Sequence, residues 1–184
     1  MATLPKRVYW DACSWIALIQ QEKIQKDGKL IEDRELLCRA VIEMAKDNKL
    51  EILTSSFCLA EVCKNRDVRD QVPDKIAAFF ENDYILLVAL DTFVGVRARA
   101  LMLGGYAGLK PPDACHLATA AISNVDEMHT FDGALLNLDG KIDKADGTKL
   151  KICKPEAGAP LPLFGFLREE ESKQVEPDKP DDKE

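Results

Sequence analysis

Asp11, Glu61, Asp113 and Asp132 are acids in unusual company: their neighbours are Trp10 and Ala12, Ala60 and Val62, Ala114, and Phe131 and Gly133. A solvated face normally mixes its charges. Carboxylates crowded into a partly buried cleft repel one another, and some take up protons unless a cation sits between them. Asp and Glu oxygens with room for water suit Mg2+ or Mn2+, and one or two such ions can activate water and stabilise the entering and leaving oxygens of a phosphodiester. The chemistry suggested is metal-dependent phosphoryl hydrolysis. Taken singly, Asp11, Asp113 and Asp132 also read as helix N-caps and Glu61 as a helix-surface residue, so the case rests on their being brought together.

The elements that would do so can be sketched from periodicity. Arg7-Val8-Tyr9-Trp10 is a β-prone run that stops at Asp11, and Ala12 to Gln21 follows as a helix. Between Glu32 and Lys49, Leu36, Leu37, Ala40, Val41, Met44 and Ala45 predict a helix with one apolar stripe. Leu50 to Thr54 is the next strand, and Ser55 or Ser56 caps a helix carrying Leu59, Glu61 and Val62. Pro73 fits the first turn of another helix with Ile76, Ala77, Phe79 and Phe80 on its buried side. The apolar run Tyr84 to Leu90 predicts a strand covered on both faces. A helix capped by Asp91 or Thr92 and ending near Gly104-Gly105 comes next, then one opened by Pro111-Pro112 and running from about Asp113 to Ser123. Glu127 to Thr130 is a short strand, Asp132 begins a helical turn, and Leu150 to Cys153 is a last strand. Strands alternating with helices imply a mostly parallel sheet with helices on both faces, an α/β/α sandwich whose sites form at the carboxyl ends of the strands. All four acids fall at that edge.

The chain has 184 residues, enough for one domain with a buried core. Its net charge of −7 is unevenly placed: residues 1–153 hold 20 Lys and Arg against 23 Asp and Glu, and residues 154–184 hold 5 against 9. This excludes a protein coated for nucleic acid but leaves room for a local basic groove, for which Lys64, Arg66, Arg69 and Lys110 are candidates. The expected division is a domain over 1–153 and a proline-containing, acidic, partly disordered tail over 154–184. No apolar run reaches the roughly 18 residues of a membrane span, and the first residues lack a secretory h-region, so the reading is cytoplasmic. The six cysteines include no Cys-x-x-Cys pair, and Cys58 with Cys63 and His116 with His129 are only loose zinc candidates.

Tyr9-Trp10-Asp11-Ala12-Cys13, Leu59-Ala60-Glu61-Val62, the segment from Pro112-Asp113-Ala114-Cys115-His116 to Ala120, and Thr130-Phe131-Asp132 resemble, in order and spacing, the four motifs of the PIN-domain family, especially its VapC-like toxin ribonucleases. The resemblance spans about residues 7–153. It implies a PIN-like α/β/α sandwich and an endoribonuclease whose Asp11, Glu61, Asp113 and Asp132 bind Mg2+ or Mn2+, with Thr130 as the hydroxyl that supports them. RNA is the implied substrate, and a cognate antitoxin and a homodimer are the implied partners. Cys13 departs from the Ser, Thr or Asn usual at its place, which puts the support of the first acid in question. His116 reads as a structural histidine one helical turn after Asp113. The rival reading is a PIN-like module that binds RNA or protein without cleaving. A receiver or haloacid-dehalogenase-type site is disfavoured because Asp11 has no acidic neighbour and position 13 is Cys.

Overall fold

The computed structural model describes residues 5–64, 80–106 and 108–156. Five strands form one parallel sheet in the order β5-β4-β1-β6-β7: β1 (Lys6–Trp10), β4 (Leu50–Ser55), β5 (Ile85–Val88), β6 (Glu127–His129) and β7 (Lys151–Cys153). Side chains alternate across β1, so Val8 and Trp10 enter one core while Tyr9 enters the other. The first core packs α1 (Ala12–Ile19) and α2 (Arg34–Lys46) on the sheet through Trp15, Val41 and Ile42. The second packs α4 (Thr92–Leu103) and α5 (Pro111–Ile122) on the opposite face through Val94, Leu101, Leu117 and Ala118. The result is an α/β fold of three layers. No helix among the described residues is long and apolar enough to cross a membrane.

Short elements complete it. α3 (Cys58–Glu61) continues into a 3-10 turn (Val62–Lys64), and α6 (Gly133–Leu136) follows β6. Helix starts follow ordinary capping: Asp11, Asp33, Asp91 and Asp132 each accept from a backbone N–H of the helix they open. The proline pair fits α5 because Pro111 and Pro112 occupy its first turn, where helical N–H groups have no intrahelical acceptor.

Three expectations differ from the structure. The run from Tyr84 to Leu90 yields a strand only over Ile85–Val88, and it lies at the sheet edge with Leu86 and Leu87 37% and 44% exposed rather than covered on both faces. In α2 the buried residues are Cys38, Ala40, Val41, Ile42 and Ala45, which turns the stripe away from Leu36. An antiparallel hairpin of β2 (Lys23–Lys26) and β3 (Lys29–Asp33) stands where no element was expected, closed by Asp27 and Gly28 at φ 52° and 73°. The side chain of Lys64, Arg66 and Arg69, the helix opened by Pro73 and the tail from residue 157 onward lie outside the described residues.

Candidate active site

Parallel register builds the centre of the site. Trp10 of β1 pairs with His129 of β6, so the residues that follow them, Asp11 and Thr130, leave the sheet side by side. The Thr130 hydroxyl donates to Asp11 Oδ2 at 2.5 Å and accepts from the Asp132 N–H at 3.0 Å, linking the ends of two strands through one buried side chain. The other oxygen, Asp11 Oδ1, accepts from the Ser14 N–H at 3.1 Å and the Ser14 hydroxyl at 3.3 Å. Asp132 Oδ1 accepts from the Ala134 N–H at 2.6 Å. Asp113, in the first turn of α5, accepts from the Lys110 N–H at 3.4 Å.

Glu61 reaches the same edge from the last position of α3, behind β4. Its Oε2 lies 2.5 Å from His116 Nε2, and His116 Nδ1 lies 2.7 Å from the Tyr9 phenol oxygen, which accepts from the Ser55 N–H at 3.2 Å. An ionised carboxylate only accepts, so Nε2 carries the proton of this pair, and in the neutral ring Nδ1 takes the Tyr9 O–H. Burial pushes the Tyr9 phenol well above its ordinary value, which keeps it a donor. Asp11, Glu61, His116 and Thr130 are 2%, 6%, 3% and 0% exposed, while Asp113 and Asp132 are half-buried.

Burial and neighbouring charge act on several of these groups. Burial raises the Asp11 carboxyl, against the hydrogen bond from Thr130 and the field of His116. Burial also raises Asp113, and the negative charge of Asp132 adds to it. The Cys13 thiol is pushed up to about 12, first by burial and then by Asp11, Asp132, Asp113 and Glu61 together. Four carboxylates from four segments thus act on one half-buried side chain. Carboxylate oxygens, on acids two of which burial makes reluctant to ionise, are donors suited to a hard divalent cation, which would relieve the repulsion.

Among the described residues, the groups whose ligand atoms lie within 4.8 Å of one another are two others, and the four acids do not form one. Cys58, Glu61 and His116 lie close together, but burial pushes the Cys58 thiol up and its sulfur donates to the Trp10 carbonyl at 3.9 Å. Glu127, His129 and Cys153 also cluster, but the Trp10 indole N–H donates to His129 Nδ1 at 3.1 Å. The remaining nitrogen therefore carries the ring proton toward Glu127 and offers no lone pair. Lys6 and Lys151 complete that knot as ion partners of Glu127.

The sequence reading missed the residues that orient the acids. Ser14 carried a usable signal, three residues after a candidate N-cap. Tyr9 and Ser55 carried none, since their partners are fixed only by the sheet. His116 is buried with both ring nitrogens partnered, and its partners are Glu61 and Tyr9.

The chain matches no family model and no curated protein. Among solved structures it is similar to Mycobacterium tuberculosis VapC20, a Sarcin-Ricin loop cleaving toxin, at 16% identity and a TM-score of 0.49, over 68% of this chain and 90% of that one.

Proposed function

We propose that the chain is a metal-dependent endoribonuclease of the PIN-domain, VapC-like toxin type. In this reading Asp11, Glu61, Asp113 and Asp132 hold Mg2+ or Mn2+, and residues 1–153 form the nuclease domain to which 154–184 are appended. What supports it most is that Asp11, Asp132, Asp113 and Glu61, from four separate segments, all raise the Cys13 thiol, and that burial makes Asp11 and Asp113 reluctant to ionise. The motifs quoted above, which contain these same acids, support the same reading. An RNA strand is the substrate, a cognate antitoxin and a second copy of the chain are the partners, and the cytoplasm is the compartment.

A divalent cation bound there would supply Lewis acidity toward a phosphodiester and its attacking water. The protein's part is to present oxygen lone pairs in fixed directions. Ser14 and Thr130 occupy one side of each Asp11 oxygen, and Thr130 ties the Asp132 backbone to the same point. Asp113 and Asp132 are half-buried and so remain partly accessible to a substrate. Water attacks phosphorus, the bond to the 3′-oxygen breaks, and the departing oxygen takes up a proton, leaving 5′-phosphate and 3′-hydroxyl ends.

The test is cleavage of single-stranded and hairpin RNA by purified protein with Mg2+, Mn2+ or EDTA, alongside Asp11→Asn. Metal-dependent cleavage lost in the variant is expected. Cleavage that persists in EDTA, or that Asp11→Asn retains in full, refutes the proposal. RNA binding without cleavage under any metal condition favours the non-cleaving module.

A further inference from the structure

We infer that His116 is a positioning residue for the metal site: held by Tyr9, it fixes the direction in which Glu61 presents its carboxylate. The inference rests on the four-carboxylate reading above. Each aspartate of the cluster is oriented by a group close to it in the chain: Asp11 by Ser14, Asp132 by Ala134 and Asp113 by Lys110. Glu61 has one more rotatable bond than an aspartate, so its carboxylate has more directions to choose between. The His116 ring meets its Oε2 at 2.5 Å from the opposite layer.

His116 is itself fixed. Its other nitrogen meets the Tyr9 hydroxyl at 2.7 Å, and the Ser55 N–H donates to that hydroxyl at 3.2 Å, with Tyr9 wholly buried. The connected groups run from β4 through β1 and α5 to α3. β1 ends at Asp11, and α5 carries Asp113 one turn before His116, so the two share a helix face. A small displacement of any of these elements is thereby passed to the Glu61 carboxylate. Groups that hold a metal-ligating side chain through a hydrogen bond have a measurable effect on affinity, about 10–100-fold when removed.

The experiment is Mn2+ titration of the full chain without RNA, followed by electron paramagnetic resonance of the free ion, for wild type, His116→Gln, His116→Met and Tyr9→Phe. Glutamine keeps an N–H near the place of Nε2, whereas methionine fills similar volume with no donor. A dissociation constant weakened about tenfold or more in His116→Met and Tyr9→Phe, with part recovered in His116→Gln, is the expected result. If His116→Met does not fold, Tyr9→Phe carries the same test alone. Wild-type affinity in the folded variants overturns the positioning role, as does equal loss in all three accompanied by equal loss of Tm in EDTA, which marks a merely structural part. If the wild type itself binds no Mn2+, the four-carboxylate reading fails first, and that outcome is distinct.

Discussion

Adding Mg2+ or Mn2+ to metal-free protein should raise its melting temperature, and Asp11→Asn should remove most of the rise. The substitution is mild for the fold. Asparagine caps a helix about as well as aspartate, and its carbonyl oxygen can still accept from the Ser14 N–H. What changes is the oxygen facing Thr130: an amide NH2 takes its place, and the Thr130 hydroxyl, which donates to Asp11 Oδ2 at 2.5 Å, must turn to accept. That trades a charge-assisted hydrogen bond of about 1.5–3 kcal/mol against removal of an anion that burial disfavours. The two oppose, so the metal-free variant should melt near the wild type. At a free metal concentration of 100 times Kd, the wild type gains about 2.7 kcal/mol. For a chain of this size each kcal/mol moves Tm by about 2–4 °C, giving a rise of about 5–11 °C. An asparagine that presents N–H where a metal needs a lone pair should cut this to about 2 °C or less at the same metal concentration. Differential scanning calorimetry on EDTA-stripped protein reads both quantities. No rise in the wild type, or an undiminished rise in the variant, refutes the reasoning. The pH dependence follows from the same shifts. Asp11 and Asp113 have raised carboxyls, so without metal their contribution to stability is complete below the ordinary carboxylate value and declines as pH climbs through the raised one. The metal-induced rise should therefore be larger at pH 7 than at pH 4.5.

Thr130→Val should cost about 1–3 kcal/mol in urea unfolding, because it strips a buried acceptor from the Asp132 N–H and a donor from Asp11. It should also weaken Mn2+ binding about tenfold, and unchanged affinity in a folded variant would count against the role given to the hydroxyl. Glu127 bears on acid stability instead. The hydrogen bond from His129, with Lys151 and Lys6, holds its carboxyl well below the usual value, so its contribution is present above about pH 4.5 and fades as pH falls through the lowered value. Glu127→Gln should flatten the acid limb of unfolding free energy against pH, modestly and less so in high salt because the lysines are exposed. An acid limb as steep as in the wild type would exclude the knot as its source.

The layered order of strands and helices was legible because the strands are short apolar runs, and two of them lead into a capping acid, as Trp10 ends at Asp11 and Thr130 precedes Asp132. Position within the sheet was not legible. Ile85–Val88 is apolar enough for a central strand, yet strand order is decided by pairing with Ile52 to Ser55, and that pairing leaves it at an edge. The hairpin escaped because Lys23, Gln25, Lys26 and Lys29 make its strands look like solvated loop, although Asp27-Gly28 is a hairpin turn signal. Helix, strand and acid are local properties of the chain. The contact of Tyr9 with His116 spans 107 positions, and that of Thr130 with Asp11 spans 119, so no local pattern announces either.

Cys13 shows how the structure answers a doubt that the sequence raises. A hydroxyl or amide two residues after the first acid would sit at the second position of α1 and reach back toward the Asp11 carboxylate. In this chain the third position does that work: the Ser14 N–H donates to Asp11 Oδ1 at 3.1 Å, and the single Ser14 hydroxyl proton lies between the His129 carbonyl at 3.1 Å and Asp11 Oδ1 at 3.3 Å. The helical start makes the exchange possible, since an N-cap oxygen faces both the second and third residues of the turn it opens. Position 13 is thereby released from orienting the acid. What remains there is a thiol that burial, and after it the charges of Asp11, Asp132, Asp113 and Glu61, push up to about 12. It stays uncharged at neutral pH and adds no fifth anion to a cluster already crowded with negative charge. Cysteine is thus compatible with the proposed cation site, with the orientation of Asp11 supplied from the next residue along the helix.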